Sequence, residues 1–264
     1  MSFSYEELAE IRHYIHQHPE LSGQEYQTTA FLKERLEELG IRILESGLKT
    51  GLIAEIGSGQ PVVALRADID ALPILEQTNL PYQSQNPGVM HACGHDFHQT
   101  SLLGAAALLK EKEDQLEGTV RLIFQPAEEI SEGASDVLAT GLLEDVQGII
   151  GFHNIPQLKA GQLALNAGAM MAGVEKFKVT VTGVSSHAAR PDLGVDTVTA
   201  VTTMVQNVQL LISRTVSPFE TAVLSITHLD VGSTWNVLPK SGYFEGTNIK
   251  KITDIAKLFV ASET

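Results

Sequence analysis

The chain has 264 residues, of which 43% are hydrophobic and 19% are charged, as is typical of a folded globular protein rather than a disordered or collagenous one. This length allows one large domain or two modest ones. The 18 basic and 32 acidic residues give a net charge of -14, which opposes binding to nucleic acids and to anionic membranes, so neither is an expected partner.

Two segments near the N-terminus carry apolar residues at helical spacing. These residues are Leu8, Ile11 and Ile15 in the first segment and Leu32, Leu36 and Leu39 in the second. The His18-Pro19 pair closes the first predicted helix, and Gly40 is placed to end the second in a left-handed conformation. We therefore expect two N-terminal helices.

Short apolar runs bounded by glycine and proline follow these helices, and they predict strands. The runs cover residues 52–56, 62–67, 120–124 and 149–152. The stretches between the later runs have a helical pattern, and such an alternation of strands and helices is typical of an α/β sheet. This predicted α/β domain covers residues 1–173.

The pattern changes beyond about residue 173. The predicted elements are an alternating strand at 177–181, a long helix at 198–212, strands at 223–229 and 241–247, and a short amphipathic helix at 252–260. This β-α-β-β-α order describes a small α+β layer that lacks one strand of the common β-α-β-β-α-β unit. A second domain is therefore expected over residues 174–264.

The first residues include acidic side chains, whereas a signal peptide begins with basic ones. The longest apolar run, residues 102–109, is too short to span a bilayer. The single cysteine, Cys93, cannot form an internal disulfide, which agrees with a reducing compartment. These features together predict a cytoplasmic protein.

The strongest chemical signal lies at residues 90–98, which read Met-His-Ala-Cys-Gly-His-Asp-Phe-His. This segment holds three of the nine histidines and the only cysteine of the chain. Imidazole and thiolate bind borderline-soft divalent ions such as zinc, manganese, cobalt and nickel, and Asp96 adds a carboxylate. The segment therefore predicts a metal site.

Further acidic and histidine side chains follow the predicted strands. Asp68 and Asp70 follow the strand at 62–67, Glu128 and Glu129 follow the strand at 120–124, and His153 follows the strand at 149–152. Ligands usually bind at the carboxyl edge of an α/β sheet, so we expect these segments to converge there with residues 91–95.

The adjacent carboxylates Glu128 and Glu129 repel each other unless a cation lies near. One of them could coordinate a metal while the other takes a proton from water, which is the chemistry of metal-assisted hydrolysis. The alternative is an exposed acidic turn before a helix N-terminus, where carboxylates are also favourable.

Several motifs occur in one order along the chain. They are Arg12 with His-Gln-His-Pro-Glu-Leu-Ser-Gly-Gln-Glu at 16–25, Leu-Arg-Ala-Asp-Ile-Asp-Ala-Leu-Pro at 65–73, the segment at 90–98, Phe-Gln-Pro-Ala-Glu-Glu at 124–129 and Ser-His-Ala-Ala-Arg-Pro at 186–191. Together they resemble the amidohydrolase branch of the M20 metallopeptidases. This branch includes hippurate hydrolases, N-acyl-amino-acid aminoacylases, auxin-conjugate hydrolases and N-acetyldiaminopimelate deacetylases.

The resemblance implies an α/β catalytic domain at 1–173, with a central mixed sheet flanked by helices, and a ferredoxin-like lid or dimerisation domain at 174–264. It implies hydrolysis of the amide bond of an N-acyl amino acid or a short peptide, with one or two divalent ions of manganese, zinc, cobalt or nickel. Deacetylation of N-acetyldiaminopimelate is an alternative substrate choice. A homodimer formed through the lid domain is also implied.

The resemblance also implies roles for individual residues. The implied metal ligands are Cys93, His95, Glu129 and His153, and Cys93 bridges the ions in a two-metal site. Glu128 is implied as the general base and then the general acid, and Asp70 as the residue that orients a ligand. His91 and His98 are expected to be structural or to support the ligands.

Two further residues are implied in the smaller domain. His187 matches a histidine that reaches into the active site of a partner subunit and stabilises the oxyanion, so it is assigned to both catalysis and substrate binding. Asn236, in Trp-Asn-Val-Leu-Pro at 235–239, matches a substrate-binding position. Asparagine before a turn with proline is also common for purely structural reasons.

The chain departs from the family pattern after residue 247. Residues 246–251 read Gly-Thr-Asn-Ile-Lys-Lys, where the family continues with Val-Arg or Ile-Arg, and the sequence ends at Thr264. We expect the family's following segment to supply the last elements of the catalytic domain and a further ligand histidine. A truncated, inactive remnant that only binds metal or dimerises is therefore the alternative to an active enzyme.

Overall fold

The computed structural model of the chain describes residues 3–165, 167, 173–219 and 222–249. It divides into two compact units, Met1–Ala160 and Gly161–Thr264. The boundary between these units lies 13 residues before the one that the sequence predicts, after residue 173. No helix in these described ranges is both long and apolar enough to cross a bilayer.

Unit 1 begins with the two predicted helices, α1 at Tyr5–Gln17 and α2 at Tyr26–Glu38. Helix α1 starts with a capping box, in which the Ser4 hydroxyl accepts a hydrogen bond from the Glu7 amide and the Glu7 carboxylate accepts one from the Ser4 amide. Gly40 follows α2 with a φ of 67°, as the sequence predicts for a helix stop.

The core of unit 1 is a five-stranded sheet. Its strands are β1 at Arg42–Ile43, β2 at Leu52–Gly57, β3 at Val62–Asp68, β4 at Thr119–Gln125 and β5 at Val146–Gly151. Their order in the sheet is β1-β2-β4-β3-β5, and β3 runs parallel to both β4 and β5 while β2 runs antiparallel to β4. The predicted α/β class with a mixed central sheet is thereby confirmed.

Helices cover both faces of this sheet. Successive side chains of β4 point to opposite faces, and apolar side chains on each face pack against helices. Leu122 and Phe124 join the core with α1, α2 and α3, which spans His95–Lys110. Ile123 joins a second core, which contains Val137 of the short helix α4 at Gly133–Ala139. The parallel strands β3, β4 and β5 therefore end at one edge of a sheet that is fixed from both sides.

Unit 2 contains β6 at Val174–Thr182, β7 at Ser186–His187, α5 at Thr197–Thr215, β8 at Val223–Val231, β9 at Val237–Leu238 and β10 at Ser241–Ile249. The long strands form an antiparallel sheet in the order β6-β10-β8, while β7 and β9 form a separate ribbon. Helix α5 packs on the sheet through Val201 and Val208, which contact a core that includes Leu224 and Phe244. The predicted helix at 252–260 lies outside the described residues.

Burial along α3 predicts an uneven sensitivity to truncation. Leu103 is 0% exposed and Leu108 is 56% exposed on the same helix. We expect Leu103→Ala to lower the free energy of unfolding by about 2–5 kcal/mol, because it leaves a cavity in the core. The matched change Leu108→Ala should stay within about 0.5 kcal/mol, and urea unfolding followed by circular dichroism compares the two. Equal losses would contradict this packing.

Candidate metal centre

The loops after β3, β4 and β5 meet the start of α3 at one edge of the sheet. The Cys93 sulfur lies 3.2 Å from Nε2 of His153, and Nε2 of His95 lies 3.8 Å from Oε1 of Glu129. Cys93, His95 and His153 each offer one ligand atom within 4.8 Å of the other two, as do His95, Glu128 and Glu129. The structure therefore brings together the four ligands and the base that the sequence proposes.

Gly94 makes the close approach of these segments possible. It precedes α3 with a φ of 90°, a conformation that residues with a side chain rarely adopt. A Cβ atom at this position would lie 2.3 Å from Oδ1 of Asn154, which directly follows His153. Glycine at this position thus lets the loop after β5 contact the start of α3, between Cys93 and His95.

Asp70 makes hydrogen bonds to two of the candidate ligands. Nδ1 of His95 donates toward the Asp70 backbone oxygen at 2.9 Å and toward its Oδ1 at 3.2 Å. Oδ2 of Asp70 accepts hydrogen bonds from the Glu129 amide at 3.0 Å and from the Ser22 hydroxyl at 2.6 Å. This arrangement commits Nδ1 of His95 to Asp70 and leaves its Nε2 facing the site.

Two buried ligand atoms have no hydrogen-bond partner among the described residues. They are Nε2 of His95 and Oε1 of Glu129. Metal bonds of about 2.0–2.3 Å place neighbouring nitrogen, oxygen and sulfur ligands about 3–4 Å apart, which agrees with the two separations at this site. A divalent ion fits this set of thiol, imidazole and carboxylate donors, and it would satisfy both unpartnered atoms.

The charges at this edge also favour a cation. Burial, together with the nearby carboxylates of Glu129, Glu128 and Asp68, raises the pKa of the Cys93 thiol to about 12. Burial also raises the pKa of Glu128, with contributions from Glu129 and Asp68. The neighbouring carboxylates therefore oppose the ionisation of Cys93 and of Glu128, and a cation would offset this effect.

The carboxylates dominate the protonation of His95. Burial acts to lower the pKa of its imidazole, but the hydrogen bond to Asp70 and the charge of Asp68 outweigh burial and raise it. For Asp70 itself, burial raises the pKa, whereas hydrogen bonds from His95, Ser22 and the Glu129 amide lower it to a net value below the usual range. Asp70 therefore stays ionised beside the ring that it orients.

Asp68 is a site residue to which the sequence assigned no role. Its Oδ1 accepts a hydrogen bond from Nδ1 of His98 at 2.6 Å, and its Oδ2 lies 2.7 Å from the Arg66 guanidinium and 3.6 Å from Nε2 of His95. Burial opposes its ionisation, but His98, His95 and Arg66 lower the pKa of Asp68 to about 2. The sequence feature that could have revealed this role is its position at the end of β3, because ligands usually bind where such strands end.

A buried polar network holds the start of α3 against α1. Asp96 accepts hydrogen bonds from Nε of Arg12 at 2.9 Å and from Nδ1 of His16 at 2.8 Å. Nε2 of His16 lies 3.2 Å from Glu76, and the bond to Asp96 is the largest cause of the raised pKa of His16. His91 is buried nearby, and burial lowers its pKa to about 4. Through their bonds to Asp96, Arg12 and His16 hold the start of the helix that carries His95.

The structure places His187 and Asn236 in unit 2, with His187 in strand β7 and Asn236 in the turn directly before its partner strand β9. His187 in β7 pairs with Val237 in β9, and the Ala188 amide donates a hydrogen bond to the Asn236 backbone oxygen at 3.0 Å. Nδ1 of His187 accepts a hydrogen bond from the Ala189 amide at 3.1 Å. Both candidate residues are therefore presented by the same short element.

Several known proteins are similar to this chain in sequence. The chain is 49% identical over 243 residues to N-acetyl-L-cysteine deacetylase of Bacillus subtilis, an alignment that covers 91% of this chain and 58% of the relative. It is 43% identical over 238 residues to IAA-amino acid hydrolase ILR1-like 5 of Arabidopsis thaliana, covering 90% of this chain and 55% of that protein. The chain thus spans roughly three fifths of the length of these relatives.

A solved structure and a family profile complete the comparison. The YXEP protein of Bacillus subtilis, described as a dinuclear metal-binding peptidase of the M20 family, superimposes with a TM-score of 0.76 at 43% identity and covers 96% of this chain and 66% of its own. Residues 64–239 match the profile of peptidase family M20/M25/M40. As its motifs predicted, the chain belongs to this family, in the amidohydrolase branch.

Proposed function

We propose that this chain carries the active site of a metal-dependent amidohydrolase that cleaves the amide bond of N-acyl amino acids. The observation that carries the proposal is a pair of buried atoms, Nε2 of His95 and Oε1 of Glu129, which find no hydrogen-bond partner in the part of the chain that the structure describes and lie beside the Cys93–His153 pair. The names of the relatives, a deacetylase of N-acetyl-L-cysteine and a hydrolase of IAA-amino acids, support a substrate with an acyl group on an amino acid.

Cys93, His95, Glu129 and His153 would hold one or two divalent ions, chosen among manganese, zinc, cobalt and nickel. When bound, such ions acidify water and polarise the carbonyl group of the amide. Asp70 keeps the ring of His95 in the orientation that presents Nε2. The need for a reduced thiol at Cys93 fits the expected cytoplasmic location.

Glu128 is the proposed general base. The pKa of its carboxyl group is higher than that of an exposed glutamate and therefore closer to pH 7. A group with such a pKa can both take up and release a proton. It takes a proton from the attacking water as the carbon–oxygen bond forms. It then delivers this proton to the leaving nitrogen as the carbon–nitrogen bond breaks, so that a carboxylic acid and an amine result, and the remaining proton of the acid passes to the amine or to solvent.

His187 and Asn236 are proposed to act from the lid domain of a homodimer. The proposal follows the family resemblance, in which a histidine of one subunit stabilises the oxyanion at the site of its partner. His187 is exposed on the ribbon that also carries Asn236, so that this ribbon could present both groups to the substrate. N-acetyldiaminopimelate remains an alternative substrate within the proposed class.

Glu128→Gln provides the test of the base. We expect this change to lower the rate of hydrolysis of hippurate or N-acetyl amino acids by about 10²–10⁴-fold, because the amide cannot accept a proton, while metal content is unchanged. The assay uses protein supplied with manganese, cobalt or zinc. Glu132→Gln is the matched control, because Glu132 is exposed and lies in the same loop.

Equal activity of Glu128→Gln and the unaltered chain would contradict the assignment of the base. Metal binding without turnover on any of these substrates would favour the alternative of an inactive, metal-binding remnant. The two outcomes are separated by measuring metal stoichiometry and hydrolysis on the same preparations.

Metal binding should release protons. Because the pKa of the Cys93 thiol is about 12 without a cation, the thiol is protonated at pH 7 and must lose about one proton to become a ligand. Metal affinity should therefore rise with pH. Titration calorimetry in two buffers of different ionisation enthalpy measures the number released, and Cys93→Ser should release about one proton fewer. An unchanged number in Cys93→Ser would exclude the thiol as a ligand.

A further inference from the structure

Glu25 is a buried acidic residue that none of the assigned roles explains. It is 0% exposed and directly precedes helix α2, but its side chain does not cap that helix. The carboxylate of Glu20 accepts the hydrogen bonds of the Gln27 and Thr28 amides instead, at 3.2 and 2.8 Å. The carboxyl group of Glu25 is therefore available for a different part of the molecule.

The Glu25 side chain reaches the loop that follows β4. Its Oε1 accepts a hydrogen bond from the Ala127 amide at 2.8 Å, and its Oε2 accepts one from the Thr50 hydroxyl at 2.8 Å. A fully buried carboxyl group is costly unless its oxygens are hydrogen-bonded, so its presence indicates a specific requirement for an acceptor. The group that meets this acceptor is the backbone of the residue before Glu128.

Ala127 has a conformation that needs support. Its φ is 50°, which places a residue with a Cβ atom in the sterically unfavourable left-handed region. The neighbouring backbone leaves little space, because a Cβ at Gly133 would lie 1.6 Å from the Pro126 oxygen and one at Gly51 would lie 2.6 Å from the Phe124 oxygen. The turn at residues 126–127 is therefore packed between Gly51 and Gly133, and the Glu25 carboxyl group binds the Ala127 amide.

This turn determines where the next two side chains point. Ala127 is followed at once by Glu128 and Glu129, and the Glu129 amide is bound by Oδ2 of Asp70. Buried carboxyl groups thus hold the backbone immediately before and immediately after Glu128, from Glu25 on one side and Asp70 on the other. The oxygens of Ala127 and Glu128 accept hydrogen bonds from the amides of residues 131–133 in the same loop, whereas Glu25 ties this backbone to a segment 102 residues away in sequence.

We propose that Glu25 is a positioning residue, which holds Ala127 in its left-handed conformation and thereby directs Glu129 to the metal and Glu128 to the reacting water. The part that concerns Glu128 rests on the proposed function, whereas the part that concerns Glu129 is a statement about metal affinity alone. The role of Glu25 also explains why the motif at residues 16–25 accompanies the metal-binding motifs in this sequence.

The test is a double-mutant cycle read out by the zinc affinity of the full chain, measured by competition with a chelating dye. Glu25→Met fills a similar volume without an acceptor oxygen, and we expect it to weaken zinc binding by about 10–100-fold, as for other residues that support a ligand. Glu25→Gln keeps an acceptor for the Ala127 amide and should stay within about twofold of the unaltered chain.

The second arm of the cycle introduces Glu25→Met into a chain that lacks the Glu129 side chain. In Glu129→Ala, the further change Glu25→Met should alter zinc affinity by less than about twofold, because Glu25 acts through Glu129. If Glu25 had a merely structural role, Glu25→Met would weaken zinc binding equally in the unaltered chain and in Glu129→Ala, or Glu25→Gln would weaken it as much as Glu25→Met. Either result would overturn the inference. If Glu25→Met does not fold by circular dichroism, Glu25→Ala, which cannot overpack, replaces it.

The outcomes for this inference and for the proposed function are separable. A chain that binds zinc but hydrolyses no N-acyl amino acid contradicts the proposed function, while the cycle still decides the role of Glu25. A chain that binds no zinc overturns the inference together with the metal site.

Discussion

The carboxyl group of Asp70 joins segments that are far apart in the sequence, and the geometry of the metal centre depends on it. One of its oxygens faces Nδ1 of His95 at the start of α3, and the other binds the Glu129 amide after β4 and the Ser22 hydroxyl. Because a buried carboxyl group is stable only when its oxygens are satisfied, these contacts fix the three segments relative to one another. As a result, Nε2 of His95 and Oε1 of Glu129 face the same space.

The same edge of the sheet concentrates acidic groups, and its own cations match them unevenly: His98, His95 and Arg66 lower the pKa of Asp68, whereas the pKa values of Cys93 and Glu128 are raised. Burial is the largest cause of the two raised values, and neighbouring carboxylates make Cys93 and Glu128 still harder to ionise. A divalent cation reverses this situation, since it favours the thiolate and the carboxylates together. Metal affinity at such a centre is therefore coupled to proton release and to the stability of the surrounding loops.

Much of the fold follows from local patterns. The period of the apolar residues predicted α1 and α2, and Gly40 ends the second helix because glycine adopts a left-handed conformation without steric cost. Strand β1 has only two residues, too few to show any alternation, and β5 begins at Val146 rather than at residue 149. Strand boundaries of this kind depend on pairing with neighbours, which a single segment does not encode.

By itself, the sequence determined the family, because ligand types and their order along the chain identify it, and it proposed Cys93, His95, Glu129 and His153 as the metal ligands. Only the tertiary structure decided how these groups are supported. Asp68 meets His98 and Glu25 meets the Ala127 amide across long sequence separations, and such contacts leave no periodic pattern in either segment. They arise because β3, β4 and the helices pack in one arrangement, in which a buried carboxyl group must find its hydrogen-bond donor in another part of the chain.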